Sequence, residues 1–208
     1  MGIQDIYQTV ITYNKVKTAE LVQAEIEKGV DVNSILNEGL VAPLEEVGKK
    51  FSDGDLFVPE MLAAAHAVKE GLGILRPHLL KAGSELKGTI VVGTVKGDLH
   101  DIGKNIVIMM LEGAGFKVDD LGVDVAAEIF ISTAKEKKAD IVAISALLTT
   151  TLPAMEQTVG LIKKECARVK ILIGGAPVTN AFAEKIGADG FGEDAPAAVE
   201  AARQLLGI

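Results

Sequence analysis

Cysteine is nearly absent: the chain of 208 residues holds one, Cys166. That excludes a disulfide framework and any zinc site built from several thiolates. Basic clusters are missing too. Against 29 Asp and Glu stand 21 Lys and Arg, a formal net charge of −8, with no basic stripe of the kind a phosphate backbone requires. A nucleic-acid partner is therefore not expected. No apolar run approaches the roughly 18 residues of a membrane span, and the opening residues MGIQDIYQTV lack the basic start and apolar stretch of a secretory signal. The chain is expected to be soluble and cytoplasmic, without a membrane partner. Neither phosphate-binding glycine pattern, GxxxxGKS/T or GxGxxG, occurs, and there is no HExxH, cysteine cluster, nucleophile elbow, repeat or low-complexity tract.

What is present has two grammars. With 49% apolar and 24% charged residues the chain can bury a substantial core. Residues 1–85 read as helical. From Val58 to Leu80 the apolar residues Met61, Leu62, Ala65, Val68, Leu72, Leu75 and Leu79 recur at three- and four-residue steps, one face of a helix. Pro59 suits its first turn and Pro77 is expected to kink or end it. Ala19–Glu27, Asp31–Glu38 and Pro43–Phe51 are further helices, separated at Gly29 and Gly39, with a short one around Ile3–Tyr13. Four or five helices of this size make a small bundle.

From Lys87 onward, short apolar runs alternate with amphipathic stretches. Strands are expected at Thr89–Val95, Phe116–Asp120, Asp140–Ser145, Lys170–Ile173 and Gly190–Phe191. Helices are expected at Asp101–Glu112, Ala126–Lys137, Leu152–Glu165, Thr179–Ile186 and Ala195–Leu206. Five β-α units imply a parallel sheet with helices on both faces, and a ligand site at the carboxyl ends of its strands. The segment Lys81–Lys87 reads as a linker between domains 1–85 and 88–208.

Three strand-end loops carry chemistry-bearing residues. After the first strand, VKGDLHDIG places Asp98, His100 and Asp101 between glycines. Asp98 and His100, two apart, can share a hydrogen bond that orients the imidazole and frees its other nitrogen for a metal. The same residues suit a helix start, with Asp101 as cap and Asp98 a solvated loop acid, and both readings can hold together. One His makes no closed zinc site. At the end of the third strand lie Ser145-Ala-Leu147 and three threonines, Thr149 to Thr151, whose hydroxyls equally suit helix capping. After the fourth, Gly174-Gly175 permits close approach by a flat ligand or an ordinary turn.

Taken in order, DxHxxG (Asp98, His100, Gly103), SxL (Ser145, Leu147) and GG (Gly174, Gly175) resemble the cobalamin-binding domain family. The intervals, 45 residues from His100 to Ser145 and 29 on to Gly174, fit it too. The surroundings VKGDLHDIGKNIV, DLGVDV, IGGAPVT and GADGFGEDA look like its methionine synthase and corrinoid methyltransferase branch. In the first half, FSDGDLFVPEML resembles that branch's helical cap, in which Phe51, Val58, Met61 and Leu62 match residues facing the corrin; at helical spacing, Met61 and Leu62 suit a plain bundle core equally well. The resemblance covers nearly the whole chain.

It implies an α/β protein: a helical cap bundle in 1–85, over the methyl face, then a flavodoxin- or Rossmann-like five-stranded parallel sheet in 88–208. It implies cobalamin or a related corrinoid bound base-off and His-on, with His100 the cobalt ligand and Asp98 its proton partner. Thr151 stands where the family's relay has a serine. Asp101, Ile102, Gly103, Ser145, Leu147, Thr149, Gly174 and Gly175 would line the cofactor site. The implied function is a methyl carrier cycling between Co(I) and methyl-Co(III), not catalytic alone. A substrate-specific methyltransferase (for an aryl methyl ether, as in O-demethylase systems, a methylamine or methanol) would load it. An acceptor methyltransferase serving tetrahydrofolate or coenzyme M would unload it, and a reductive activase would be a third partner. The linker would be the hinge by which the cap swings aside. Against this stand a subunit of an adenosylcobalamin-dependent isomerase, which has no use for a methyl-face cap, and a cobalamin-sensing regulator, for which residues 1–85 offer no output module. A flavodoxin-like module that binds no corrin remains the third alternative. His66, His78 and Cys166 read as packed or solvated.

Overall fold

The computed structural model describes residues 2–81 and 87–208; residues 82–86, the body of the expected linker, lie outside the described residues. Two compact units result, Met1–Leu86 with Glu112–Gly115, and Lys87–Leu111 with Phe116–Ile208.

The first unit is helical: α1 (Ile3–Ile11), α2 (Lys15–Glu27), α3 (Val32–Ser34), a π-helical segment (Ile35–Val41), α4 (Ala42–Ser52) and α5 (Val58–Lys81). Asn14 and Asp31 start α2 and α3 by accepting the N–H groups of Lys17 and Ser34, donors that a helix start leaves unpaired. At α5 the Glu60 carboxylate reaches back to the Phe57 N–H at 2.8 Å, half of a capping box. Gly29 does break the chain between α2 and α3, with φ 77°. Gly39 does not: it lies inside the π segment, which joins α3 to α4 without a gap. The cause is Pro43. Its ring cannot donate to the Gly39 carbonyl and would collide with it in an α-helix. Widening the turn, with the Ala42 N–H reaching back five residues to Asn37 O, carries the helix past it.

Pro77 likewise fails to end α5, which runs on to Lys81. The proline costs about 3 kcal/mol in a helix interior. Leu75 and Leu79, on either side and both buried, contribute roughly 1.5–3 kcal/mol each, enough to hold the last turn in place.

The second unit alternates strand and helix: β1 (Thr89–Thr94), α6 (Ile102–Gly113), β2 (Lys117–Asp120), α7 (Ala127–Lys137), β3 (Ile141–Ser145), a 3-10 turn (Thr149–Thr151), α8 (Leu152–Glu165), β4 (Lys170–Gly174), α9 (Asn180–Ile186), β5 (Gly190–Gly192) and α10 (Ala195–Leu206). All five strands are parallel, in the order β2-β1-β3-β4-β5. The central strands β1, β3 and β4 are buried along almost their whole length, as sheets covered on both faces must be. Val91, Val142, Ile144, Ile171 and Ile173 pack with Phe130, Met155, Val159 and Ile162 from the helices. Gly93 is small for a reason: a Cβ there would meet the Phe130 ring at 2.7 Å.

The register sets the site. Thr94, Ser145, Gly174 and Gly192 are neighbours across β1, β3, β4 and β5, so the loops after these strands open from one edge. The chain leaves β1 toward β2 on one side and reaches β3 on the other. A crevice at the carboxyl ends of β1 and β3 follows from that reversal.

Candidate cofactor site

Two loops meet at this reversal. Val95 to Asp98 turn tightly after β1, with Asp98 N–H donating to Val95 O at 3.1 Å. Gly97, at φ 85°, supplies the left-handed residue such a turn requires. Asp98 is completely buried. Its Oδ1 accepts the backbone N–H of His100 at 3.0 Å and lies 2.9 Å from the His100 Nδ1. Its Oδ2 accepts the N–H groups of Leu147 (2.7 Å) and Leu148 (3.3 Å) in the loop after β3, and the Thr151 hydroxyl (3.0 Å). Burial pushes this carboxyl up, but the donors from Leu147, His100 and Thr151 outweigh it and hold it well below the usual carboxylate range. An ionised carboxylate only accepts. A proton shared with it belongs to Nδ1, the tautomer of an imidazole that leaves the lone pair on Nε2.

The His100 side chain is 51% exposed. Around it the loops present apolar side chains to solvent, Leu99 and Ile102 on one, Leu147 and Leu148 on the other. The buried Thr94 hydroxyl fixes the His100 carbonyl at 3.0 Å. Asp101 precedes α6, where its carbonyl accepts the Asn105 N–H at 2.8 Å and its carboxylate the Asn105 amide at 3.1 Å. Asp98 is thus no solvated loop acid, whereas Asp101 stands at a helix start as either reading allowed.

The other expected residues distribute as follows. Ser145 is half-buried at the tip of β3, Thr149 is exposed, Gly103 is exposed at the start of α6, and Thr151 is buried against Asp98. Gly174 and Gly175 lie beside Ser145 and Ala146. At Gly175, with φ 120°, a Cβ would fall 1.9 Å from the Ala146 carbonyl, and at Gly174 it would fall 2.9 Å from that of Gly192. The packing of the loops themselves therefore already demands glycine at both positions. In the helical unit Met61 is buried, Phe51 and Leu62 are half-buried and Val58 is 39% exposed. Phe57, which the helical periodicity did not single out, is the most exposed large apolar side chain among the described residues there, at 72%. Thr94, Leu99 and Leu148 were also not singled out. Their positions at strand ends were the available signal.

A single imidazole is one donor, so a metal bound at Nε2 needs its remaining ligands from elsewhere. Among the described residues no three His, Cys, Asp or Glu converge on one point. A flat macrocycle that carries its own equatorial nitrogens and lies on apolar side chains fits this donor set. Replacing Thr151 by Val should cost about 1–2 kcal/mol of stability, since Asp98 Oδ2 loses its hydroxyl donor in a buried setting. Replacing it by Ser should be nearly neutral. Urea denaturation of the two variants checks the contrast, and equal losses would remove the hydroxyl from the account.

The sheet and the carboxylate-backed imidazole at its switch point define an α/β domain with one oriented nitrogen donor at the carboxyl ends of its strands. Comparison with known proteins makes this specific. Residues 88–200 match one B12 binding domain family and residues 3–76 match a second. Dimethylamine corrinoid protein 1 of Methanosarcina acetivorans is 45% identical over 208 residues, 98% of this chain and 97% of that one. Trimethylamine corrinoid protein 2 of Methanosarcina mazei is 43% identical over 204 residues, 96% and 94% of the two chains. Among solved structures, a chain of the methanol:cobalamin methyltransferase complex of Methanosarcina barkeri superposes with a TM-score of 0.84 at 29% identity, covering 99% of this chain and 79% of that one. The chain belongs to the B12-binding family, among the corrinoid proteins of methyltransferase systems. No described helix is long and apolar enough to cross a membrane.

Proposed function

We propose that this chain is a methyl carrier for a corrinoid bound base-off and His-on, in which His100 would donate its Nε2 lone pair to the metal. One observation carries the reading: the carboxylate of the buried Asp98 lies 2.9 Å from Nδ1 of a half-exposed His100 at the sheet's switch point. The bound corrinoid would supply a cobalt centre able to accept and release a methyl group. The protein's part is to orient one imidazole, to set its basicity through Asp98, and to lay Leu99, Ile102, Leu147 and Leu148 against the macrocycle. Ser145, Gly174 and Gly175, aligned on neighbouring strands, would border the nucleotide tail.

The helical unit takes the part of a cap over the reactive face. Its support is the second B12 binding domain match at residues 3–76 and the exposed Phe57 and Val58. The methyl donor is read as a methylamine, because the relatives at 43–45% identity along the whole chain are di- and trimethylamine corrinoid proteins. A loading methyltransferase, an acceptor methyltransferase and a reductive activase complete the partner set.

The test is to reconstitute the chain with cobalamin, reduce it, and offer it to purified methylamine, methanol and aryl methyl ether methyltransferases. Loading by a methylamine enzyme alone is expected. Loading only by another class overturns the donor, and failure to bind cobalamin overturns the carrier. In the same preparation, hydrogen exchange across Phe51–Leu62 should slow when the corrinoid binds, and unchanged exchange there ends the cap assignment.

A further inference from the structure

The turn that carries Asp98 is held from its far side by a residue outside the site just described. Asp124, in the loop between β2 and α7, meets that turn twice. Its Oδ1 accepts the Gly97 N–H at 2.8 Å, and its own N–H donates to the Asp98 carbonyl at 2.9 Å. The two bonds bracket the Gly97–Asp98 peptide.

The loop is itself anchored to the sheet. Leu121 N–H donates to Val92 O (2.8 Å), Thr94 N–H to Gly122 O (3.0 Å) and Val125 N–H to Thr94 O (2.9 Å). At its base the buried Lys104 gives its ammonium to Asp120 Oδ1 at 2.7 Å, an oxygen that also accepts the Gly122 N–H at 2.9 Å. The clamp therefore has a fixed footing.

Asp124 occupies the left-handed region, with φ 53°. That conformation is strained for an L-residue, least for Asn and Asp, and glycine would avoid the strain. An aspartate whose carboxylate folds back on the turn makes the strain informative. Lys96 adds an exposed ion pair to the same carboxylate at 3.1 Å. Hydrogen bonds weaken steeply as their angle closes. A small rotation of the Gly97–Asp98 peptide would swing Oδ1, which takes both His100 contacts, away from Nδ1.

We propose that Asp124 is a positioning residue for the axial ligand: by clamping the Gly97–Asp98 peptide it aims the imidazole of His100 and the lone pair on its Nε2. This rests on the reading of His100 as the ligand of a corrin-held metal.

Four variants separate its contributions. Asp124→Asn keeps an acceptor and tolerates the left-handed backbone. Asp124→Gly keeps the backbone but loses the acceptor. Asp124→Glu keeps the charge and displaces the acceptor by a methylene, and Lys96→Ala removes only the ion pair. Two readouts apply. One is the 15N histidine spectrum of the chain without corrinoid, assigned with His100→Gln, in which the wild-type ring should be in the Nδ1–H form. The other is the electron paramagnetic resonance spectrum of the same 15N-histidine protein after reconstitution with cob(II)alamin, where a coordinated protein imidazole gives doublet splitting and the cofactor's own 14N base gives a triplet.

Asp124→Asn and Lys96→Ala should match wild type in both. Asp124→Gly and Asp124→Glu should show mixed tautomers and about a tenfold lower ratio of imidazole-bound to unbound corrinoid, at the low end of the effect of residues supporting a metal ligand. Wild-type spectra from Asp124→Glu overturn the proposal, even if Asp124→Gly does not fold. If His100→Gln leaves the cob(II)alamin spectrum unchanged, the ligand assignment fails instead, and the histidine spectra still decide whether Asp124 aims the ring.

Discussion

Replacing Asp98 by Asn should lower the stability of the α/β unit by about 3 kcal/mol, within the range for breaking a buried hydrogen-bonded charge. For a chain of this size that corresponds to roughly 6–12 °C in melting temperature. The reasoning is local. Asp98 is fully buried and receives donors from two loops that are far apart in sequence: His100 on one, Leu147, Leu148 and Thr151 on the other. It is the stitch between the end of β1 and the end of β3. An asparagine fills the same space but has one acceptor oxygen. If that oxygen faces Leu147, its amide hydrogens face the backbone N–H of His100, donor against donor.

The same substitution changes how stability depends on acid. The folded-state pKa of Asp98 is held below the ordinary carboxylate value, so the unfolded state takes up its proton first as pH falls. Its contribution is therefore fully present above the unfolded value of roughly 3.9 and is lost progressively as pH drops through the folded value. The stability gap between wild type and Asp98→Asn should be flat from pH 8 to about 5 and narrow below about 4. Denaturant midpoints across that range measure it. A gap that stays constant down to pH 3 would mean that folding does not lower the pKa of this carboxyl, and one that widens from pH 8 toward 4 would mean that the group is neutral in the folded protein; the second result would overturn the tautomer assigned to His100.

The alternation of apolar runs was enough to locate all five strands, because β1, β3 and β4 are buried on both faces and their residues have few alternatives to Val, Ile and Leu. The pairing of Asp98 with His100 was legible for a similar reason: residues two apart in a glycine-bracketed turn meet through local geometry alone. What required the fold was everything set by backbone handedness or distance. Asp124 reads as one acidic residue among many until its left-handed backbone folds its carboxylate onto Gly97. Gly39 and Pro77 looked like breaks. Local propensity gave way at one to a widened turn around Pro43 and at the other to the burial of Leu75 and Leu79. Phe57, the residue just before α5, is exposed, and apolar spacing within the helix, which does place Met61 on the buried face, does not reach it.

Replacing His100 by Gln should abolish axial nitrogen coordination while leaving the fold almost intact. The ring is 51% exposed, and Asp98 keeps the His100 backbone N–H and all its donors from the loop after β3. The stability cost should therefore be about 1 kcal/mol, one hydrogen bond to a charged group partly compensated by water. Cofactor binding separates sharply from that. Residues that merely support a metal ligand cost 10–100-fold in affinity when removed, so loss of the ligand itself should reach the upper end, on the order of 100-fold. In protein labelled with 15N-histidine, the doublet splitting of reconstituted cob(II)alamin should vanish. A splitting that survives in His100→Gln would place the axial donor elsewhere. The two substitutions also divide the site's labour. Asn at position 98 can donate to Nδ1 as well as accept from it, which permits the tautomer whose Nε2 carries a hydrogen and no lone pair. Asp98→Asn is therefore expected to impair both stability and coordination, and His100→Gln coordination far more than stability. A carboxylate that served only to cap the loop would produce the first loss without the second.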